Sequence, residues 1–274
     1  MVTRILGFVY GVVCYFVFFG TFLYAIGFVG GGNLYGAGKP LIVPRSIDLS
    51  PMGQGESLAV RLIIDALLLS LFAIQHSVMA RAWFKQRWTK VVTPLLERST
   101  YVLLASSTLL LMFWQWRPIG TERVAWDVQN STGRLVLEGL FWVGWLIVLT
   151  STFLIDHFDL FGLRQVWHYL KGTECPPHSF RTPAFYKGVR HPIYLGFIIA
   201  FWSTPRMSIG HLFFAVMTTA YVILAIQFEE RDMIRVHGEQ YENYRKHVSM
   251  LTPVKFWKGE SEPAAQEAAR GKSA

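Results

Sequence analysis

Charge is scarce in this 274-residue chain. Only 16% of its residues are Asp, Glu, Lys or Arg, against about 25% in an ordinary soluble domain. Hydrophobic types reach 52% and aromatics 15%, and the mean hydropathy is +0.33. This balance argues against a soluble enzyme and excludes disorder for all but the last residues. Cysteine is scarcer still. Cys14 and Cys175 alone exclude a disulfide framework and an all-cysteine metal site. Cys14 lies in an apolar run and is read as packing. No H-E-x-x-H pattern occurs and the eight histidines are scattered, so no metal site is expected. Acid is the minority sign, 18 residues against 26 basic ones, for a net charge of +8. In a chain this apolar, the excess is read as loops facing anionic lipid rather than as a nucleic-acid surface.

What the chain does have is long apolar runs. Residues Ile5 to Gly38 carry no charge, and Ile5–Val29 is long enough to span a bilayer. Its length exceeds that of a signal-peptide core, so it is read as a retained helix. Gly30–Pro40 superficially resembles a phosphate loop, but Asn33 and Pro40 stand where that pattern needs Gly and Ser or Thr. Further spans are expected at Leu58–Ala80, Tyr101–Trp116, Leu135–Ile155 and Ile209–Phe228. The apolar piece Ile193–Thr204 would reach only about 18 Å as a helix. It either crosses with help from Val189–Pro192 or re-enters. The expected fold is therefore an all-α polytopic transmembrane helix bundle of five or six spans. Residues 1–258 form one domain with its cofactor half at about 157–253, followed by a disordered tail at Gly259–Ala274.

If all six pieces cross, 19 of the Lys and Arg residues fall on one side and seven on the other. The positive-inside rule then places both termini in the cytoplasm of a cell (inner) membrane protein. The densest polar clusters share that face. One is His178–Tyr194, HSFRTPAFYKGVRHPIY. His191 precedes a proline and is pushed out of helical conformation, while Pro192 suits a first helical turn. A helix start here offers free N–H groups to a carboxylate or phosphate, with Arg190 beside it. The competing reading is an interfacial helix start anchored by Arg190 and Tyr194. The second cluster is Glu229-Glu230-Arg231-Asp232 followed by GEQYENYRKHVSMLTP. Glu229 stands almost directly after apolar residues, and a carboxylate at a membrane edge needs a partner. Tyr241 and Tyr244 share a helix face and either anchor the interface or wall a cationic ligand.

Together, RHPIYLG at 190–196 and E-E-x(7)-G-x-x-Y-x-x-Y at 229–244 resemble the isoprenylcysteine carboxyl methyltransferase superfamily of membrane enzymes. VPRSID at 43–48, QHSVMAR at 75–81, LIDHFDLFGLRQ at 154–165 and FWSTPRMSIGHLFFA at 201–215 are similar to its bacterial methanethiol S-methyltransferase branch and to NnrU-type membrane proteins. The resemblance implies S-adenosylmethionine as methyl donor, a small thiol as acceptor and membrane lipid as surroundings. It implies His178, Ser179, Phe180, Arg181, Tyr186, His191, Pro192, Ile193, Tyr194 and Glu229 as cofactor contacts. Members that act on prenylated cysteine resemble each other in an arginine one turn before the glutamate. Ala225 stands there in this chain, which argues against a prenylcysteine acceptor. The alternatives are another membrane methyltransferase acting on an isoprenylcysteine-like or lipid acceptor and a non-enzymatic membrane protein of the NnrU kind, and oligomeric state is not legible.

Thiol methylation needs a thiolate, hence a base or a positive field near sulfur. His76 is the first base candidate, at the cytoplasmic end of the second span between Gln75 and Ser77. Asp65, eleven residues earlier, lies on the same helix face, either as part of a polar stripe turned into the bundle or as an i,i+4 partner of Arg61. His157, between Asp156 and Asp159, is the second candidate, and its acidic neighbours are expected to raise its pKa. His211 is expected near the outer face, away from the chemistry.

Overall fold

The computed structural model describes residues 1–31, 43–176 and 181–252. The loop at Gly30–Pro40, the cofactor candidates His178, Ser179 and Phe180, and the tail at Gly259–Ala274 fall wholly or mostly outside them. Helices α1 (Val2–Gly30), α2 (Leu58–Ala80), α3 (Ala82–Trp88), α4 (Pro94–Gln115), α5 (Ser131–Ile155), α6 (His157–Leu160), α7 (Leu163–Lys171), α8 (Pro192–Trp202), α9 (Ile209–His237) and α10 (Glu239–His247) follow in chain order. The two strands, β1 (Val124–Asp127) and β2 (Arg206–Ser208), pair antiparallel. The chain is an all-α membrane bundle.

Four helices, α1, α2, α5 and α9, are long and apolar enough to cross a membrane. A fifth, α4, is as long as α2 but begins with the polar turn Glu97-Arg98-Ser99-Thr100. It lies along both α1 and α2. Tyr10 meets Thr100 at 3.0 Å and Tyr24 stacks on Phe113 at 5.3 Å, so α1 and α4 run parallel. His76 meets Tyr101 while Asp65 meets Arg117, so α2 runs antiparallel to them.

The short apolar helix α8 lies along α9. Tyr194 faces Glu229 and Trp202 bonds Thr219, which sets α8 antiparallel to α9. From Trp202 the chain passes through Ser203–Pro205 into β2, which pairs with β1 between α4 and α5. The stretch from α8 through β2 thus leads from the Glu229 end of α9 to its start at Ile209. Against α5, α8 packs through glycine. A Cβ added to Gly144 of α5 would stand 2.6 Å from the Ala200 nitrogen, and one on Gly196 would stand 2.7 Å from the Gly144 oxygen. The two backbones touch, as small residues permit between membrane helices.

Local signals set the helix ends. Ser57, Asn130 and Ser208 cap α2, α5 and α9 by accepting from Val60, Gly133 and His211 amides, and such caps satisfy otherwise orphaned donors. Pro94 and Pro192 occupy the first turns of α4 and α8. Two spans begin earlier than their apolar cores, at Pro94 and Ser131, because these caps lie outside the hydrophobic run. The last departs most: α9 continues to His237, where Gly238 with φ +52° ends it. At 1.5 Å per residue its 29 residues cover about 43 Å, more than a hydrocarbon core of about 30 Å. Glu229 to Asp232 thus sit on a rigid helix rather than closing a span.

Aromatic side chains fill the core at the end that carries the two-stranded sheet. Phe28, Phe113, Trp116, Phe141, Trp145 and Phe214 are buried together. Trp116 donates to the Ile47 carbonyl, fixing the chain before α2 to the bundle.

Candidate active site

The polar node lies at the end of the bundle where α8 begins and α9 leaves the apolar layer. His191 is the N-cap of α8, and Pro192 holds the first turn. The residue before a proline is kept extended, which turns the imidazole of His191 toward α9. Its Nε2 lies 3.1 Å from Glu230 Oε1 and its Nδ1 lies 3.9 Å from Glu229 Oε2. Tyr194, one turn into α8, donates to Glu229 Oε2 at 2.9 Å.

The two adjacent glutamates do different work. Glu230 is only 4% exposed. Arg190 Nε meets it at 2.7 Å, Arg245 Nε at 3.2 Å and His191 at 3.1 Å. A carboxylate surrounded by three cationic or ionisable donors is already satisfied and locks the strands around it. Arg190 adds bonds to the carbonyls of Arg245 and Val248. The amides of Arg190 and His191 donate to the Ser249 and Met250 carbonyls. The segment after α10 is thereby laid beside Val189, as a parallel bridge to Ser249 records. Glu229, in contrast, has a side chain 44% exposed, with Tyr194 as its close hydrogen-bond donor. Sequence reading singled out Glu229 and passed over Glu230. The spacing of Arg190 and Arg245 from it gives no signal until the chain is folded.

Tyrosines wall the node. Tyr241 is 3% exposed, and Tyr244 donates to the Tyr186 carbonyl. Burial, first, pushes Tyr244 up to about 12, with Arg190 working against it. Burial also raises Tyr186 and Tyr241, reinforced by nearby Glu229 and Glu230. All three are neutral hydroxyls at physiological pH. Tyr186 has a buried hydroxyl with no hydrogen-bond partner, although Glu229 lies within electrostatic reach. Buried hydroxyls are rarely left unpaired, so this one is suited to a ligand group.

His76 is drawn to the same node. The Tyr101 hydroxyl lies 3.0 Å from its Nδ1 and 3.1 Å from its Nε2, and can bond one at a time. Tyr101 and Tyr221 are within electrostatic reach of Tyr194, as is Glu229. Ser77, next to His76, bonds the Tyr221 hydroxyl at 3.2 Å. His76 and Asp65 both face α4, as a polar stripe turned into the bundle requires. Arg61 does not engage Asp65 as the i,i+4 alternative supposed. It donates to the Glu56 and Pro118 carbonyls, while Asp65 accepts the Arg117 amide at 3.0 Å.

His157 goes elsewhere. It is 4% exposed, its Nε2 meets Tyr15 at 3.0 Å and its Nδ1 meets Thr152 at 2.9 Å. Its ring lies parallel to Phe153 at 4.1 Å. The expectation of a raised pKa is corrected. Burial lowers it and outweighs the adjacent Asp156, while Asp159 is turned to Arg164 and Gln165. Arg181 lies just before the 3-10 turn Ala184–Lys187 that presents Tyr186. Ile193 is part of the first turn of α8. His211 is buried at the far end, bonding the Phe201 carbonyl. Among the described residues no cluster could hold a metal ion. Two cavities, of about 490 and 630 Å³, lie away from the node, one lined by Glu56, Arg61 and Ile209 and the other by Arg4 and Tyr169.

A helical bundle with four helices able to cross a membrane, and a polar node gathered at one end, defines a polytopic membrane protein. Relatives give it a family. The chain is 51% identical over 244 residues to the methanethiol S-methyltransferase of Crocosphaera subtropica, covering 89% of this chain and 90% of that one. It is 49% identical over 253 residues to the methanethiol S-methyltransferase of Mycobacterium tuberculosis, covering 91% and 97%. The chain belongs to the methanethiol S-methyltransferase family. A more remote likeness, 28% identity over 186 residues, covers 66% of this chain and 71% of Nurim from Bos taurus. No protein-family model and no solved structure matches the chain.

Proposed function

We propose that the chain methylates methanethiol to dimethyl sulfide with S-adenosylmethionine as donor. The observation that carries this is the pairing of a half-exposed Glu229 with the unpartnered Tyr186 hydroxyl beside the α8 start. A carboxylate fits an amino group, and the first-turn amides of a helix fit a carboxylate. The donor's amino-acid end presents both. His191, Pro192, Ile193 and Tyr194 would frame it, with Arg181 and the 178–180 segment before them. When bound, S-adenosylmethionine supplies a sulfonium methyl whose carbon–sulfur bond breaks as the thiolate sulfur takes the methyl, leaving a neutral thioether.

The chain's own residues supply the rest. His76 takes the thiol proton in this reading. Tyr101 holds its imidazole, and the aromatic surroundings exclude water, which favours loss of the sulfonium charge. His157, with both nitrogens engaged by Tyr15 and Thr152, is assigned to holding α1, α5 and α6 together rather than to the chemistry. The face carrying the node is assigned to the cytoplasm of the cell membrane, on the strength of the 19-to-7 split of basic residues.

The test is a methyl-transfer assay on membranes with labelled S-adenosylmethionine and a panel of thiols. Labelled dimethyl sulfide from methanethiol is expected. Label passing only to a prenylcysteine carboxylate, or to no acceptor, would overturn the reading.

A further inference from the structure

Three rings, one from each of α2, α4 and α9, gather at His76. Phe72, one turn before it on α2, stacks on the imidazole at 5.2 Å and 26°. Tyr101 of α4 lies on it at 5.2 Å. Tyr221 of α9 meets the edge of Phe72 at 6.2 Å and 71°. Tyr221 is held in that position by its hydroxyl, which bonds Ser77 at 3.2 Å.

Tyr221 also stands on the face of α9 that carries Glu229. Residues 221, 225 and 229 recur at helical spacing and lie one above another. Tyr221 and Glu229 are thus about 12 Å apart along the axis, with the small side chain of Ala225 between them. The rise from the carboxylate to the imidazole is therefore walled at its inner end by the Tyr221 ring. The Phe72 and Tyr101 rings bound the space beside His76.

We propose that Tyr221 is the specificity-determining residue for acceptor size, its ring and that of Phe72 limiting the acceptor beside His76 to a one- or two-carbon thiol. This rests on the methyl-transfer reading above. The physical basis is steric. Well-packed rings cannot yield room for extra methylenes without leaving their rotamers. The Ser77 bond keeps Tyr221 from swinging away. A hydrophobic wall discriminates one methylene by about 10- to 200-fold, and removing the wall returns that factor.

The experiment compares kcat/KM for methanethiol and 1-butanethiol in wild type, Tyr221→Phe and Tyr221→Ala, with S-adenosylmethionine affinity measured alongside. Tyr221→Ala should shift the ratio toward 1-butanethiol by at least about tenfold while donor affinity stays near wild type. Tyr221→Phe keeps the ring but loses the Ser77 bond, so it should shift the ratio less than Tyr221→Ala does. Phe72→Ala attacks the same enclosure from the opposite wall and should shift the ratio in the same direction, which tests the assignment even if Tyr221→Ala fails to insert. An unchanged ratio in an active ring-deleted variant would overturn the proposal, as would an equal shift in Tyr221→Phe. A wild type inactive on every thiol would instead overturn the function on which it rests.

Discussion

Arg190 and Glu230 meet at 2.7 Å with both side chains less than a tenth exposed, and between them they tie the start of α8 to α9 and to the segment after α10. Glu229, the neighbouring residue, accepts from Tyr194 at 2.9 Å, lies 3.9 Å from His191 and has a side chain 44% exposed. The pair of glutamates thus separates a clamp from a ligand group.

That separation is measurable. Removing one member of a buried ion pair costs about 3–5 kcal/mol, so Glu230→Ala should lower the unfolding temperature in detergent and abolish donor binding with it. Glu229→Gln should leave the unfolding temperature near wild type and still weaken S-adenosylmethionine binding. The two glutamates showing the same phenotype in both measurements would refute the division of labour.

His76→Ala tests the base. A general base contributes about 10²- to 10⁴-fold, so turnover should fall by that order while donor affinity holds. Raising the pH should restore part of the loss, because more of the thiol ionises unaided. Tyr101→Phe should show a smaller fall, since the imidazole stays but loses its hydroxyl partner. Wild-type turnover in His76→Ala would remove the base from the mechanism.

The sequence shows the bundle more fully than the site, for physical reasons. Each expected apolar run corresponds to a helix, four of them long and apolar enough to cross a membrane, and Leu58–Ala80 and the α8 start at Pro192 are reproduced to the residue. Helix ends set by caps, such as Ser131, lie outside the hydropathy signal. A carboxylate such as Glu229 stands out against an apolar background. Glu230 does not, because its importance comes from Arg190 and Arg245, 40 and 15 residues away. The convergence of Tyr101, Tyr194 and Tyr221 is likewise tertiary, with one hydroxyl from each of three helices. The pKa of His157 was misread because its sequence neighbours are acidic whereas its spatial neighbours are Tyr15, Phe153 and Phe161.

The backbone contact of α5 and α8 gives a further prediction. Any Cβ on Gly144 or Gly196 falls within 2.8 Å of backbone atoms or of Val148, and backbone cannot yield as a flexible side chain does. Gly144→Ala or Gly196→Ala should push the helices apart at a cost of about 1–3 kcal/mol. The same shift displaces His191 and Tyr194 at the head of α8, so donor affinity should fall together with unfolding temperature. Gly139→Ala, on α5 with open space around it, is the control and should change neither. Unaltered stability in Gly144→Ala would show that the two helices are not in close contact.

His157 gives the acid limb of the stability profile. Its pKa is lowered in the folded chain, first by burial, so the folded state binds its proton less readily than the unfolded state does. Stability from this group is then fully present above the unfolded value of about 6.5 and is lost as the pH falls from there through the folded value. Protonation would also set a charge between Tyr15, Thr152 and the Phe153 ring, loosening α1 from α5 and α6. Unfolding temperatures of wild type and His157→Gln, measured from pH 8 down to pH 5, should therefore converge. The wild type is the more stable above about pH 6.5, and its advantage shrinks below it. A gap that widens on acidification would mean that His157 is held protonated in the folded chain, reversing both the sign and the cause assigned here.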